Sequence, residues 1–231
     1  MKKIGIIGGI TPESTAKYYD YLASWNRDRS KGDDFPVVLI HSLDLLNWYR
    51  LLEEDNEDNI VQCLMTAARS LESAGADFAL IAANTPHMYF DRLAEETSLP
   101  LLSIVEATAQ AALSLGFKRV GLMGTKFTMQ RGFYPAVFEK HNLQVIVPDA
   151  KDQEYIDGVL FGEVAFGKYL DSSKARFVEI SRKLQQQEQL EAMILGCTEI
   201  PLFIDESDIG LPVLDTVKVH ALAALQMALE R

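Results

Sequence analysis

The residues best suited to chemistry fall in short turns that follow apolar runs. Leu195-Gly196-Cys197-Thr198-Glu199 puts a cysteine just past such a run, among glycine, threonine and glutamate. A thiol there meets the first amides of a following helix, which should lower its pKa and favour the thiolate, an acid/base or nucleophile. The competing role is a small buried hydrophobe, and Cys63 fits that role, on a helical stripe with Ile60, Leu64, Ala67, Leu71 and Ala74. Cys197 has no third ligand at metal spacing, so no metal is expected.

Two further turns carry polar groups. In Ala82-Ala83-Asn84-Thr85-Pro86-His87, Asn84 and Thr85 suit either a bound carboxylate or the capping of a helix. Taken alone, His87 is more often a satisfied structural histidine than a catalyst. Gly8-Gly9-Ile10-Thr11-Pro12-Glu13-Ser14-Thr15 combines a tight glycine turn, a proline suited to a helix start, and hydroxyls that can face an anion. Plain turn chemistry explains it equally, and it is neither a dinucleotide fingerprint nor a P-loop.

The elements that must position these turns alternate. Runs at Lys3–Ile7, Val37–His41, Phe78–Ala82, Leu101–Ser103, Arg119–Met123, Gln144–Val147 and Ala192–Leu195 read as strands. Longer stretches of helical period separate them, so the fold class is α/β with parallel sheets. The design recurs: Lys2–Gly8 is echoed by Lys118–Gly124 at an offset of 116 (118 − 2), and Ala79-Leu80-Ile81 by Ala192-Met193-Ile194 at 113 (192 − 79). Two echoes in the same order point to an internal duplication. The expected lobes are 1–100 with 214–231, and 101–213. Ligands of open parallel sheets bind beyond the strands' carboxyl ends, so the site is expected in a cleft between the lobes.

The 231 residues suffice for a substantial core, and a net charge of −11 argues against nucleic acid or an anionic membrane as partner. No apolar run is long enough to span a bilayer. The lysines and apolar run at the start read as a first strand rather than a signal peptide, and two cysteines suit the cytoplasm.

In this order, Gly8–Thr15, Asn84–His87, Gly124-Thr125 and Gly196–Glu199 resemble the four site loops of the aspartate/glutamate racemase family, over essentially the whole chain. The resemblance implies two pseudo-symmetric lobes, a homodimer, a small carboxylate or amino-acid substrate and no cofactor, pyridoxal phosphate included. By position it implies that Thr11, Asn84, Thr85, Thr125 and Thr198 hold the substrate carboxylate. Cys197 then matches the catalytic cysteine of the second lobe, with Glu199 and His87 as polar groups that tune or shuttle protons. The family's other cysteine has Ala83 in its place, and the lysine that holds an aspartate side chain has Ala165; Arg50 aligns loosely with another basic contact. Three functions follow. The first is an amino-acid racemase using Cys197, with His87 or a water opposite. The second is a one-cysteine carbanion enzyme of decarboxylase or isomerase type. The third is a carboxylate-binding homologue without turnover.

Overall fold

The computed structural model describes residues 1–28 and 35–230. The chain divides into two units, Met1–Ile104 with Val217–Arg231, and Val105–Thr216.

The first unit runs β1 (Ile4–Gly8), α1 (Pro12–Asp28), β2 (Val38–Ser42), α2 (Leu45–Glu54), α3 (Glu57–Ser73), β3 (Phe78–Ile81), a 3₁₀ turn Thr85–Tyr89, α4 (Phe90–Glu96) and β4 (Leu101–Leu102). Its four strands are parallel, in the order β2-β1-β3-β4. Side chains alternate across the sheet. Ile4 and Ile6 of β1 pack with Tyr18 and Leu22 of α1, whereas Ile7 joins Ile60, Leu64 and Leu71 of α3. Both faces are covered, which is why β1 reads as a continuous apolar run.

The second unit takes up the chain at α5 (Ile104–Ser114). It continues through β5 (Arg119–Gly124), α6 (Lys126–Gln130), α7 (Phe133–Lys140), β6 (Gln144–Ile146), α8 (Ala150–Gly162), a 3₁₀ turn Val164–Phe166, α9 (Asp171–Glu188), β7 (Ala192–Gly196), a 3₁₀ turn Ile200–Leu202, α10 (Glu206–Ile209) and β8 (Val213–Asp215). The sheet order, β6-β5-β7-β8, matches that of the first unit strand for strand. The chain then returns through α11 (Thr216–Leu229), whose Val217, Ala221, Ala224 and Leu225 complete the first unit's core. No described helix is long and apolar enough to cross a membrane.

The ladders correct the repeat offset read from sequence. Gly5 pairs with Ala79 in the first sheet and Gly121 with Met193 in the second. The Ala79 amide donates to the Pro100 carbonyl at 2.8 Å, and the Met193 amide to the Pro212 carbonyl at the same distance. Ala79 is therefore equivalent to Met193, an offset of 114 (193 − 79), one more than the string of similar residues suggested. Four residues further along each strand stand Ala83 and Cys197. Those two are the equivalent positions.

Gly9 has φ +83, and a Cβ there would lie 2.3 Å from the Leu43 carbonyl oxygen. Gly9→Ala should therefore lower stability by at least about 1–2 kcal/mol. Urea denaturation checks this; an unchanged midpoint would contradict the backbone reading.

Candidate active site

In the first unit, the turns after β1 and β3 leave neighbouring strand ends. Thr11 caps α1, accepting the Ser14 amide at 3.3 Å. The hydroxyls that sequence offered to an anion are committed internally. Ser14 Oγ donates to the Ala82 carbonyl at 2.7 Å, while Thr15 Oγ1 accepts the Gly9 amide at 2.9 Å and donates to the Thr11 carbonyl at 3.0 Å. Asn84 is buried at the start of the 3₁₀ turn but makes no side-chain capping bond to it, and Thr85 is half-buried. The same unit thus gathers Thr11, Asn84, Thr85 and His87 on the strand ends.

His87 is only 3 % exposed, and both its ring nitrogens face backbone. Nδ1 lies 2.9 Å from the Ala83 carbonyl, and Nε2 accepts the Ile104 amide at 3.1 Å. Burial lowers its pKa to about 4, against an upward pull from the carbonyls of Ala83 and Asn84. Sequence left His87 open as a proton carrier; its geometry is that of a neutral ring engaged on both sides.

In the second unit, β5 and β7 are paired through Gly124 and Gly196. Thr125 caps α6, accepting the Thr128 amide at 3.3 Å, so it occupies the place that Thr11 holds in the first unit. Lys126, the next residue, donates its amide to Asp157 of α8 at 2.7 Å, a contact no local pattern announced. After β7, Cys197 is half-buried while Thr198 and Glu199 are buried. The Cys197 thiol donates to Glu199 Oε2 at 2.9 Å, and Thr198 Oγ1 donates to the same oxygen at 2.8 Å.

The Cys197 thiol does not have the lowered pKa expected from its sequence position. Burial pushes it well above the usual thiol value, and the Glu199 carboxylate adds to the rise by charge repulsion and by accepting the S–H. The amides of Glu199 and Thr198 do pull it down, as a helix start would, but they are outweighed. The 3₁₀ turn that follows spans only Ile200–Leu202, too short for a strong dipole.

Other positions singled out from sequence lie outside these turns in the chain. Ala165 is exposed in the second unit's 3₁₀ turn Val164–Phe166, and Arg50 is exposed on α2. Cys63 sits at the edge of the apolar stripe rather than within it. With His41, Asn47 and Gln62 it lines a surface recess of about 410 Å³. Among the described residues, no three of His, Cys, Asp and Glu form a possible metal site. Sequence reasoning missed His220 and Tyr18. The His220 ring lies 6.0 Å from that of His87, and the Tyr18 hydroxyl lies 2.9 Å from His220 Nδ1. A lone histidine among Val217, Ala221 and Ala224 on an apolar helix face was the available signal.

Two repeated units, each a four-stranded parallel sheet flanked by helices, have the architecture of Asp/Glu racemase structures. The chain belongs to the Asp/Glu/Hydantoin racemase family, whose model matches residues 7–224. It is 24% identical over 216 residues to the broad specificity amino-acid racemase RacX of Bacillus subtilis (strain 168), covering 92% of each chain. The crystal structure of an aspartate racemase homologue from Pyrococcus horikoshii OT3 superposes with a TM-score of 0.86 at 37% identity, over 100% of both chains. The Picrophilus torridus aspartate racemase superposes at 0.76 with 25% identity, covering 99% of this chain and 95% of that one.

The buried histidines make a pH prediction. Burial holds His87 at about 4, and burial with the neighbouring His87 holds His220 at about 3, both below the ordinary histidine value. The unfolded chain therefore binds protons first as pH falls. The contribution of each neutral ring is complete above about 6.5 and is lost as pH falls toward 4 for His87 and 3 for His220. Stability should drop by on the order of 1 kcal/mol per histidine per pH unit below about 6. Urea midpoints at pH 7 and 5 test this; equal midpoints would contradict it.

Proposed function

We propose that the chain is a cofactor-independent racemase-type enzyme that transfers the α-proton of an amino acid, with Cys197 and Glu199 as its acid/base pair. The observation that carries this is the thiol–carboxylate contact at the end of β7. A carbon acid needs a base to take its proton and an acid to return one. Glu199 accepts the thiol proton, and the resulting thiolate removes the α-proton. The electron pair left on carbon spreads into the substrate carboxylate. Thr11, Asn84, Thr85 and Thr125 are the donors we assign to that carboxylate, each worth about 3–4 kcal/mol if it acts as an oxyanion-hole donor does; Thr198, matched to the same role by position, gives its hydroxyl proton to Glu199 instead. An amino-acid substrate is in keeping with the relative described as a broad specificity amino-acid racemase.

Ala83 favours a second reading. It is the equivalent of Cys197, it is 6 % exposed, and it has no proton to exchange. With His87 engaged by backbone, water is the proton source we assign to that face. The enzyme then works chiefly from one side, so proton exchange outpaces inversion. At the limit this is one-sided protonation of a carbanion, as a decarboxylase or isomerase would use.

Two measurements follow. In D₂O, α-proton exchange followed by NMR across L- and D-amino acids should fall at least about a hundredfold in Cys197→Ser and stay unchanged in Cys63→Ala. Equal exchange by Cys197→Ser and wild type would remove the catalytic assignment. Absence of exchange with retained amino-acid binding would favour a carboxylate-binding protein without turnover. In a Cys63→Ala background, Glu199→Gln should lower the Cys197 pKa, because the carboxylate raises it. Alkylation rate against pH reads this, and a rise or no movement would contradict the pairing.

A further inference from the structure

The hydrogen bonds of the two buried histidines fix their tautomers. His220 Nε2 lies 3.1 Å from the Leu102 carbonyl oxygen, and its Nδ1 lies 2.9 Å from the Tyr18 hydroxyl. A carbonyl can only accept, so Nε2 carries the proton and Nδ1 of the neutral ring accepts from Tyr18. His87 is the opposite tautomer. The Ile104 amide can only donate, so Nε2 is bare at 3.1 Å, and Nδ1–H donates to the Ala83 carbonyl at 2.9 Å. The two rings meet edge to face at 6.0 Å, and Phe90 stacks on His87 at 5.3 Å.

The two histidines therefore grip one short segment from both sides: His220 holds the carbonyl of residue 102, and His87 accepts the amide of residue 104. The order runs from Tyr18 on α1, through His220 on α11, across Leu102–Ile104, through His87, to the carbonyl of Ala83. Every donor in it has one acceptor. Burial keeps both rings neutral, the form this order requires.

We propose that this chain of bonds is the positioning device of the first half-site. His220 and His87, in fixed and opposite tautomers, hold the Ala83-Asn84-Thr85 turn, and neither ring exchanges a proton with substrate. A second proton carrier at His87 would need a ring nitrogen facing substrate, and both are occupied by backbone. The kinetic consequence rests on the reading of that turn as a carboxylate cradle; the tautomers do not.

Long-range ¹H–¹⁵N NMR of the wild-type protein at pH 7 tests the tautomers directly. The expected pattern is Nδ1–H for His87 and Nε2–H for His220, with Tyr18→Phe perturbing the His220 nitrogens and leaving the His87 tautomer in place. The reverse tautomers, rapid tautomer averaging, or a cationic ring at pH 6 would overturn the proposal. Kinetics of α-proton exchange test its use. His87→Asn keeps a donor near Ala83, whereas His87→Gln reaches only toward Ile104. We expect kcat/KM of the asparagine variant to exceed that of the glutamine variant by at least about tenfold, with the losses mainly in KM and the pH profile unchanged. Equal collapse of kcat in both variants, with loss of one limb of the pH profile, would make His87 a catalytic acid/base and overturn the proposal. If no amino acid is exchanged by the wild type, the cradle reading fails, and the NMR pattern still decides the tautomers.

Discussion

Parallel pairing of the two central strands in each unit is the constraint on which the rest depends. Pairing of β1 with β3, and of β5 with β7, brings two successive turns to the same edge of each sheet. Each unit then builds that edge in the same way. A threonine caps the helix after the first strand, Thr11 in one unit and Thr125 in the other, and the turn after the third strand carries the remaining polar groups. Because the ladders have a single register, Ala83 and Cys197 are one position of the design filled twice. One filling is a methyl group packed into the core beside Ile81, and the other is a thiol. By the same register Thr85 is the equivalent of Glu199, so the first unit has neither the thiol nor its carboxylate partner.

Around Cys197 the competition between effects has a clear winner. Two backbone amides favour the thiolate, as the end of a strand leading into a helix would suggest. Burial of the sulfur and the adjacent carboxylate oppose them and prevail. Thiol and carboxylate therefore share one proton at 2.9 Å, with Thr198 donating to the same carboxylate oxygen. In the role we propose, such a pair would keep its proton available as an acid and clear it from sulfur when a base is needed. The two duties would trade against each other, since whatever holds the proton on sulfur slows its use as a base.

Much of the fold was legible because buried parallel strands leave unbroken apolar runs, such as Ile4–Ile7 and Ala192–Leu195. The strand Val213–Asp215 escaped notice because its apolar run is only Val213-Leu214 before Asp215 and Thr216; its counterpart Leu101–Leu102, equally short and also after a proline, was read as a strand. The repeat was visible, but its offset near β7 was one residue short: side-chain similarity favoured Ala192 as the partner of Ala79, and only hydrogen bonds to Pro100 and Pro212 settle the match on Met193. Polar turns were found from residue type, whereas their electrostatics were not. The sign of the Cys197 shift depends on burial and on where the Glu199 side chain folds, neither of which spacing reveals. His220 lies 133 residues (220 − 87) from His87 and 202 from Tyr18, so both join the network of His87 through contacts that no local pattern encodes.

The central claim is that Ala83 stands where the design places a second proton carrier, and a thiol restored there tests it most directly. Inversion and α-proton exchange would be measured together in D₂O for wild type and Ala83→Cys, using amino acids that the wild type exchanges. The account predicts that the new thiol raises inversion at least about a hundredfold, so that inversion approaches exchange. A folded Ala83→Cys protein whose ratio of inversion to exchange equals that of the wild type would contradict it.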